Sequence, residues 1–296
     1  MELRTLFRHK HALWLKLLYG ALLLKEGKTR FVLHTFSETQ FRHLKWLGET
    51  IVDYARDETH YDKSQPFPMT FDFDRDPIDI TTWDSDSTLL KQLLGDTKQA
   101  MDLNPGGQPI LDSIASDDAY FLYRLEELFI GRERWDSLEG GFNFDGIRQK
   151  EALGLDEAQL SLLVQTLREQ NYKEYKTVIS FCYLLAHTER LDIYHAFYDL
   201  MWESLTHQKH YAMMMASIGA LEIPPIVPKA AYQIGDVKQF IETNLAEEEK
   251  EQAELLTLST RIPYEGFQRL VTFVANQEKH HIAILNETYS TLYGHA

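Results

Sequence analysis

The sequence is poor in residues that interrupt regular structure or cross-link a chain. Its 296 residues include 15 glycines, nine prolines and a single cysteine, Cys182. One cysteine excludes an intrachain disulfide and any zinc or iron–sulfur site built from several cysteines. The scarcity of glycine and proline favours long regular elements over many turns. An apolar fraction of 44% and a charged fraction of 25% are ordinary for globular proteins, which excludes wholesale disorder.

Positive charge is also scarce, with 30 Lys and Arg against 45 Asp and Glu and a formal net charge of −15. Such a chain repels phosphate groups, so we expect neither nucleic acid nor an anionic membrane as a partner. The apolar stretch at residues 14–24 is interrupted by Lys16 and Gly20 and is too short to span a bilayer. These features predict a soluble cytoplasmic protein. The oligomeric state stays open, and a homo-oligomer is compatible with the sequence.

Apolar residues recur every three or four positions along most of the chain, which is the pattern of amphipathic helices. Gly27, Pro224–Pro228 and Pro263 mark breaks between the periodic segments. No strand-like alternation competes with this pattern, so the predicted fold class is all-α. We predict eight helices, at about residues 5–26, 29–57, 87–102, 113–135, 156–188, 191–219, 235–260 and 264–292.

The helices divide into two predicted domains. Residues 136–150, which contain Gly140-Gly141, are typical of a linker, so we place one helical domain at 1–150 and another at 151–296. Four long helices with two tight connections and one longer connection make the second domain a predicted four-helix bundle. The first domain has two long and two short helices, and we interpret it as a partly degenerate copy of the second.

Two short motifs place potential metal ligands three residues apart, on one face of a helix. They are His207-Gln208-Lys209-His210 and Glu278-Lys279-His280-His281. In antiparallel hairpins that turn near residue 190 and near Pro263, Glu174 lies level with the first motif and Glu249 with the second. Face-to-face packing of the hairpins would bring six candidate ligands together at mid-bundle: Glu174, His207, His210, Glu249, Glu278 and His281.

A cluster of this kind needs a cation, because burying so many ionisable groups without one would be prohibitive. Carboxylates and imidazoles together suit iron, manganese or zinc. Two alternatives stay open. Glu248 is a close rival of Glu249 within the acidic run 247–251, and such a run is usually a solvated helix face. Long acidic helices also contain Glu and His three residues apart by chance.

The second half resembles the ferritin-like superfamily, most of all the rubrerythrin-type proteins. That family takes one Glu from each of two helices and Glu-x-x-His from each of the other two. The resemblance covers about residues 156–292 and implies one or two ions of iron or manganese that react with dioxygen or peroxide. It also implies that His210 and His281 are terminal nitrogen ligands. The matching segments are Glu174-Tyr175-Lys176-Thr177, His207-Gln208-Lys209-His210-Tyr211, Glu249-Lys250-Glu251-Gln252-Ala253 and Glu278-Lys279-His280-His281.

One position departs from the family pattern, because His207 stands where the family has a bridging Glu. Imidazole does not bridge two metals as a carboxylate does. Glu203, one turn before His207, is a candidate substitute. Otherwise the site holds one metal ion or an unequal pair.

The first half contains a fainter resemblance. The segment Thr39–Leu47 is similar to the second helix of the same family, with Gln40 where Glu belongs. His11 and His43 are equidistant from Gly27, so His11, Gln40 and His43 would be the remains of a second site. Two imidazoles and an amide make a poor iron site, and we expect these residues to be ordinary helix positions instead.

Three functions are consistent with these patterns. The first is a ferritin-like metal-binding protein, an iron- or manganese-dependent oxidoreductase. The second is a metal-free helical structural or interaction protein that has lost the site. The third is a different all-α enzyme with an apolar pocket, such as one with a heme-oxygenase-like fold.

Overall fold

The chain folds almost entirely into helices. The computed structural model describes residues 2–24, 27–59, 71–134 and 153–294. The all-α prediction is confirmed, and each helix predicted from the periodicity is present with its ends within about four residues. None of the described helices combines the length and the apolar character needed to cross a bilayer. The α-helices of the described residues are α1 (Glu2–Leu23), α2 (Lys28–Thr59), α3 (Asp86–Leu103), α4 (Pro109–Arg134), α5 (Glu157–His187), α6 (Leu191–Ser217), α7 (Val237–Arg261) and α8 (Glu265–Tyr293).

The helices separate into two compact units. Helices α1 to α4 form the first unit, and α5 to α8 form the second. The segment Leu221–Ile226 follows α6 in the chain but belongs to the first unit. There Arg75 Nη2 donates to the backbone carbonyl of Pro224 at 2.6 Å. The predicted linker at 136–150 and the predicted boundary at residue 150 lie outside the described residues.

Local signals explain where the helices of the second unit begin and end. Helix α5 begins with a capping box, in which the Asp156 carboxylate accepts from the Gln159 backbone and the Gln159 side chain accepts from the Asp156 backbone. The Asp236 carboxylate caps α7 by accepting from the Gln239 backbone nitrogen at 3.0 Å. Gly219, just beyond α6, has a φ of 72°, which a glycine adopts without strain.

Helices α6 and α8 each bury a stripe of residues spaced three or four apart. Helix α5 packs chiefly on α6, α7 on α8, and α6 also on α8. The stripes contain ionisable residues among the apolar ones, and this arrangement creates the candidate site. The stripe of α8 is Phe267, Val271, Val274, Glu278, His281 and Leu285, and that of α6 is Ile193, Phe197, Leu200, Ser204, His207, Tyr211 and Met215.

Candidate metal centre

Five ionisable side chains from all four helices of the second unit meet in its interior. Glu174 comes from α5, His207 from α6, Glu248 from α7, and Glu278 and His281 from α8. All but Glu248 are buried, and the Glu248 side chain is only 12% exposed. Isolated charges at such depth would be strongly destabilising, so each of these groups needs an oppositely charged partner or a proton.

The five side chains form two triads that share one carboxylate. The first triad is Glu174, His207 and Glu278, and the second is Glu248, Glu278 and His281. Within each triad the potential ligand atoms lie within 4.8 Å of one another. The Nδ1 atom of His207 lies 3.1 Å from Glu174 Oε1 and 3.3 Å from Glu278 Oε1. The Nδ1 atom of His281 lies 3.1 Å from Glu278 Oε2 and 3.5 Å from Glu248 Oε1.

Glu278 therefore turns one oxygen towards each imidazole, Oε1 to His207 and Oε2 to His281. This is the arrangement in which one carboxylate can bridge two cations. Nitrogen and oxygen ligands bound at about 2.1 Å to one ion are about 3.0–3.4 Å apart in octahedral or tetrahedral geometry. The nitrogen–oxygen distances in both triads already fall near this range.

Both imidazoles point Nδ1 into the cluster and Nε2 away from it. The Nε2–H of His207 donates to the Gln277 side-chain oxygen at 2.7 Å. The Nε2 of His281 lies 3.0 Å from Glu203 Oε2. An acceptor on the outer nitrogen fixes the orientation of a metal-binding imidazole and raises its basicity. Glu203, which we considered as a substitute bridge, thus lies on the outer side of His281.

The carboxylates determine the charge state of the two imidazoles. Burial acts to lower the pKa of His207, but Glu174 and Glu278 outweigh it and raise the pKa to about 10. Burial acts in the same direction on His281, where Glu203, Glu248 and Glu278 raise the pKa to about 12. Without an ion, both imidazoles therefore carry two protons and act as the internal cations of the cluster.

The carboxylates divide into charged and protonated groups. Burial raises the pKa of Glu248 to about 9, and burial together with the charge of Glu174 raises that of Glu251 to about 8. Burial also raises the pKa of Glu174. Glu278 behaves differently, because Glu248 and the two imidazoles outweigh its burial and hold its pKa well below the usual range. Glu278 is thus the permanently charged carboxylate of the cluster.

Several buried polar atoms of the cluster lack an aligned hydrogen bond. Oε2 of Glu278 and both ring nitrogens of His281 approach their neighbours closely, but not in hydrogen-bond geometry. The phenol oxygen of Tyr211, one turn after His207 on the α6 stripe, is buried and also has no hydrogen-bond partner. Unsatisfied buried polar atoms are rare in folded proteins and call for an explanation. A bound ion with its own water ligands would satisfy them.

The structure brings together four of the six predicted ligands, Glu174, His207, Glu278 and His281. The other two lie elsewhere. Glu249 is exposed, and its neighbour Glu248 occupies the position in the cluster that we predicted for Glu249. His210 is half-buried, its Nδ1 lies 2.8 Å from the Thr206 carbonyl, and its ring packs on Phe273.

The helical stripe explains both corrections. Glu248 lies seven residues after Ile241 and seven before Leu255, which are the two buried apolar residues of α7. Seven residues are almost two helical turns, so all three side chains face the same way, and Glu249 is rotated by about 100°. His210 likewise falls between His207 and Tyr211 and off the α6 stripe.

The interior of the first unit contains a cation that the chain supplies itself. The Lys10 ammonium donates to both oxygens of Asp118 at 2.5 Å and to the Gln40 side-chain oxygen at 2.8 Å. It also lies 3.4 Å from His43 Nδ1. The side chains of Lys10 and Asp118 are 0% exposed.

Two of the residues predicted as remains of a second site, Gln40 and His43, thus surround the Lys10–Asp118 ion pair. Gln40 donates to Asp118 at 2.9 Å, and His43 Nε2–H donates to Asp117 at 2.9 Å. Burial and the nearby Lys10 lower the pKa of His43 to about 2, so its ring is neutral and accepts from the ammonium. His11 lies apart, with Nδ1 at 3.3 Å from the Asp74 carbonyl. The three residues are packed helix positions, as we expected.

The comparisons with known proteins add no family to this geometry. No family model matches the chain, and neither the curated proteins nor the solved structures contain a significant match. The functional argument therefore depends on the residues of the site themselves.

Proposed function

We propose that the second unit is a ferritin-like metal-binding bundle whose two triads hold one or two ions of iron or manganese. The observation that carries this proposal is the position of Glu278, whose two oxygens face imidazoles of different triads at 3.3 and 3.1 Å. Four helices contribute to the cluster, as the family pattern requires. The mixed carboxylate and imidazole donors, with no thiolate, suit iron and manganese.

The proposed activity is that of an oxidoreductase acting with dioxygen or peroxide. Bound iron or manganese would supply the one-electron redox chemistry that no side chain of the cluster provides. The protein's own contribution is positional. Gln277 accepts a hydrogen bond from the outer nitrogen of His207, and Glu203 forms an ion pair with the outer nitrogen of His281. The apolar stripes keep bulk water away. The phenol of Tyr211 is buried without a partner and can donate to an oxygen ligand of the centre.

A metal-free structural protein is the second candidate, and one observation favours it. His207 donates from both nitrogens, to Glu174 at 3.1 Å and to Gln277 at 2.7 Å, so the first triad is internally satisfied without an ion. The second triad favours the metal instead, because the ring nitrogens of His281 lack aligned partners. Substitution of His281 by Ala separates the two candidates, since only a metal protein would lose bound metal.

Elemental analysis of the full-length protein tests the proposal. We expect one to two equivalents of iron or manganese per chain after anaerobic loading and removal of free metal. The bound metal should raise the melting temperature, because a ligand that binds only the folded state stabilises it. His281→Ala should abolish both effects. Less than about 0.2 equivalents in the loaded wild-type protein would refute the proposal.

A further inference from the structure

The two triads are buried, so an ion must cross a layer of protein to reach them. Glu174, His207, Glu278 and His281 are all buried, and His281 is only 1% exposed. Two open depressions at the surface of the second unit, near Glu157–Glu169 on α5 and near Glu265–Asn276 on α8, do not include these ligands. The charges around the cluster guide a cation that enters between side chains.

On one side of the cluster, two carboxylates are already paired with lysines. On the side formed by α5 and α7, Lys173 Nζ lies 3.8 Å from the Glu251 carboxylate. Lys176 Nζ lies 3.3 Å from Glu247, one turn earlier on α7. Each ammonium group thus already pairs with a carboxylate of this face, and a cation arriving there would have to displace it.

On the side formed by α6 and α8, a carboxylate pairs with imidazoles instead of lysines. The Glu203 side chain is 26% exposed, and in the described part of the chain its ion-pair partners are two imidazoles. Its Oε2 lies 3.0 Å from the buried His281 Nε2, and its Oε1 lies 3.1 Å from Nδ1 of His280, a side chain that is 57% exposed. One carboxylate thus connects a surface imidazole with an imidazole of the second triad.

We infer that Glu203 and His280 form the entrance through which a divalent cation reaches the two triads. The inference rests on the proposed metal-binding function. The Glu203 carboxylate and the His280 nitrogen are close enough to bind one ion together at the surface. The Glu203 carboxylate then passes the ion to the outer nitrogen of His281, and a turn of that ring carries the ion to the Nδ1 side, where the second triad lies.

Stopped-flow loading of the metal-free, full-length protein with Co²⁺ tests the entrance, because visible absorption reports the uptake of this ion. We expect His280→Ala to slow loading about threefold and His280→Lys to slow it about tenfold, since a charge of the same sign at a cleft reduces the approach of an ion. The final absorbance and the number of bound ions should equal those of the wild-type protein. His280 is exposed, so both variants should fold.

His195 provides a matched control, because it is another exposed histidine of the second unit, on α6. His195→Ala and His195→Lys should load at the wild-type rate. Equal rates for His280→Lys and His195→Lys would overturn the entrance. A lower number of bound ions in His280→Ala would also overturn it, because His280 would then be a permanent ligand. If the wild-type protein takes up no Co²⁺ at all, the metal-binding proposal itself is refuted.

Discussion

Metal binding should expel protons from the cluster. With pKa values of about 10 and 12, His207 and His281 each carry a proton on Nδ1 at pH 7, and this atom is the one that an ion would bind. Glu248, with a pKa of about 9, also holds a proton at this pH. A chain that fills both triads should therefore release at least two protons, from the imidazoles, and up to three with Glu248.

The release sets the pH dependence of metal affinity. Each expelled proton contributes about 1.4 kcal/mol, or a factor of ten in affinity, per pH unit. Two protons make the overall affinity rise about 100-fold per unit between pH 6.5 and 8.5. Calorimetric titration with Mn²⁺ in two buffers of different ionisation enthalpy counts the protons directly. Fewer than about one proton per loaded chain, or an affinity that is flat over this range, would refute the assigned protonation states.

The same protons make the stability of the metal-free protein depend on pH. The pKa values of both imidazoles are higher in the folded chain than the 6.5 expected when unfolded. Their stabilisation is therefore complete below pH 6.5 and is lost as the pH rises towards 10. Urea unfolding of the metal-free protein should show stability falling above pH 6.5. A stability that rises over this range would contradict the analysis.

Three further substitutions have definite expected outcomes. Glu248→Gln should weaken metal binding at least tenfold in equilibrium titrations, whereas the exposed Glu249→Gln should match the wild-type protein. Gln277→Leu removes the acceptor of His207 Nε2–H and should cost about 10–100-fold in affinity. Lys10→Met leaves the Asp118 carboxylate buried and unpaired, and should cost about 3–5 kcal/mol in urea unfolding without changing the metal content.

A defined result would contradict each of these three predictions. Equal losses in Glu248→Gln and Glu249→Gln would show that the acidic run acts as a whole and not through its inward residue. An unchanged affinity in Gln277→Leu would remove the orienting role of that amide. Addition of Asp118→Asn to Lys10→Met should recover part of the lost stability, because the unpaired charge is then gone. No recovery would mean that packing of the lysine stem dominates.

Helical periodicity alone was sufficient to predict the fold class and the position of every described α-helix. It also predicted that acids and imidazoles of four helices meet, because positions equidistant from a turn lie side by side in a hairpin. Within the acidic run of α7, the distance from the turn did not distinguish Glu248 from its neighbour Glu249. The seven-residue spacing of Ile241, Glu248 and Leu255 makes that choice, and it is visible in the sequence.

Other features needed the three-dimensional structure. Lys10 and Asp118 are 108 residues apart, and no sequence rule pairs a lysine of α1 with an aspartate of α4. The partners of the two outer nitrogens are Gln277, by a hydrogen bond to His207, and Glu203, by an ion pair with His281, and both look like ordinary polar helix positions in the sequence. Which nitrogen faces the cluster is a matter of side-chain geometry, and periodicity carries no information about it.

Anomalous diffraction from a crystal of the Mn²⁺-loaded protein tests the central claim most directly. The proposal predicts one or two anomalous peaks in the second unit, each about 2.1–2.3 Å from an oxygen of Glu278. With two ions, the Nδ1 atoms of His207 and His281 would complete the separate sites. Peaks confined to surface carboxylates, with Glu278 contacting only the two imidazoles, would contradict it.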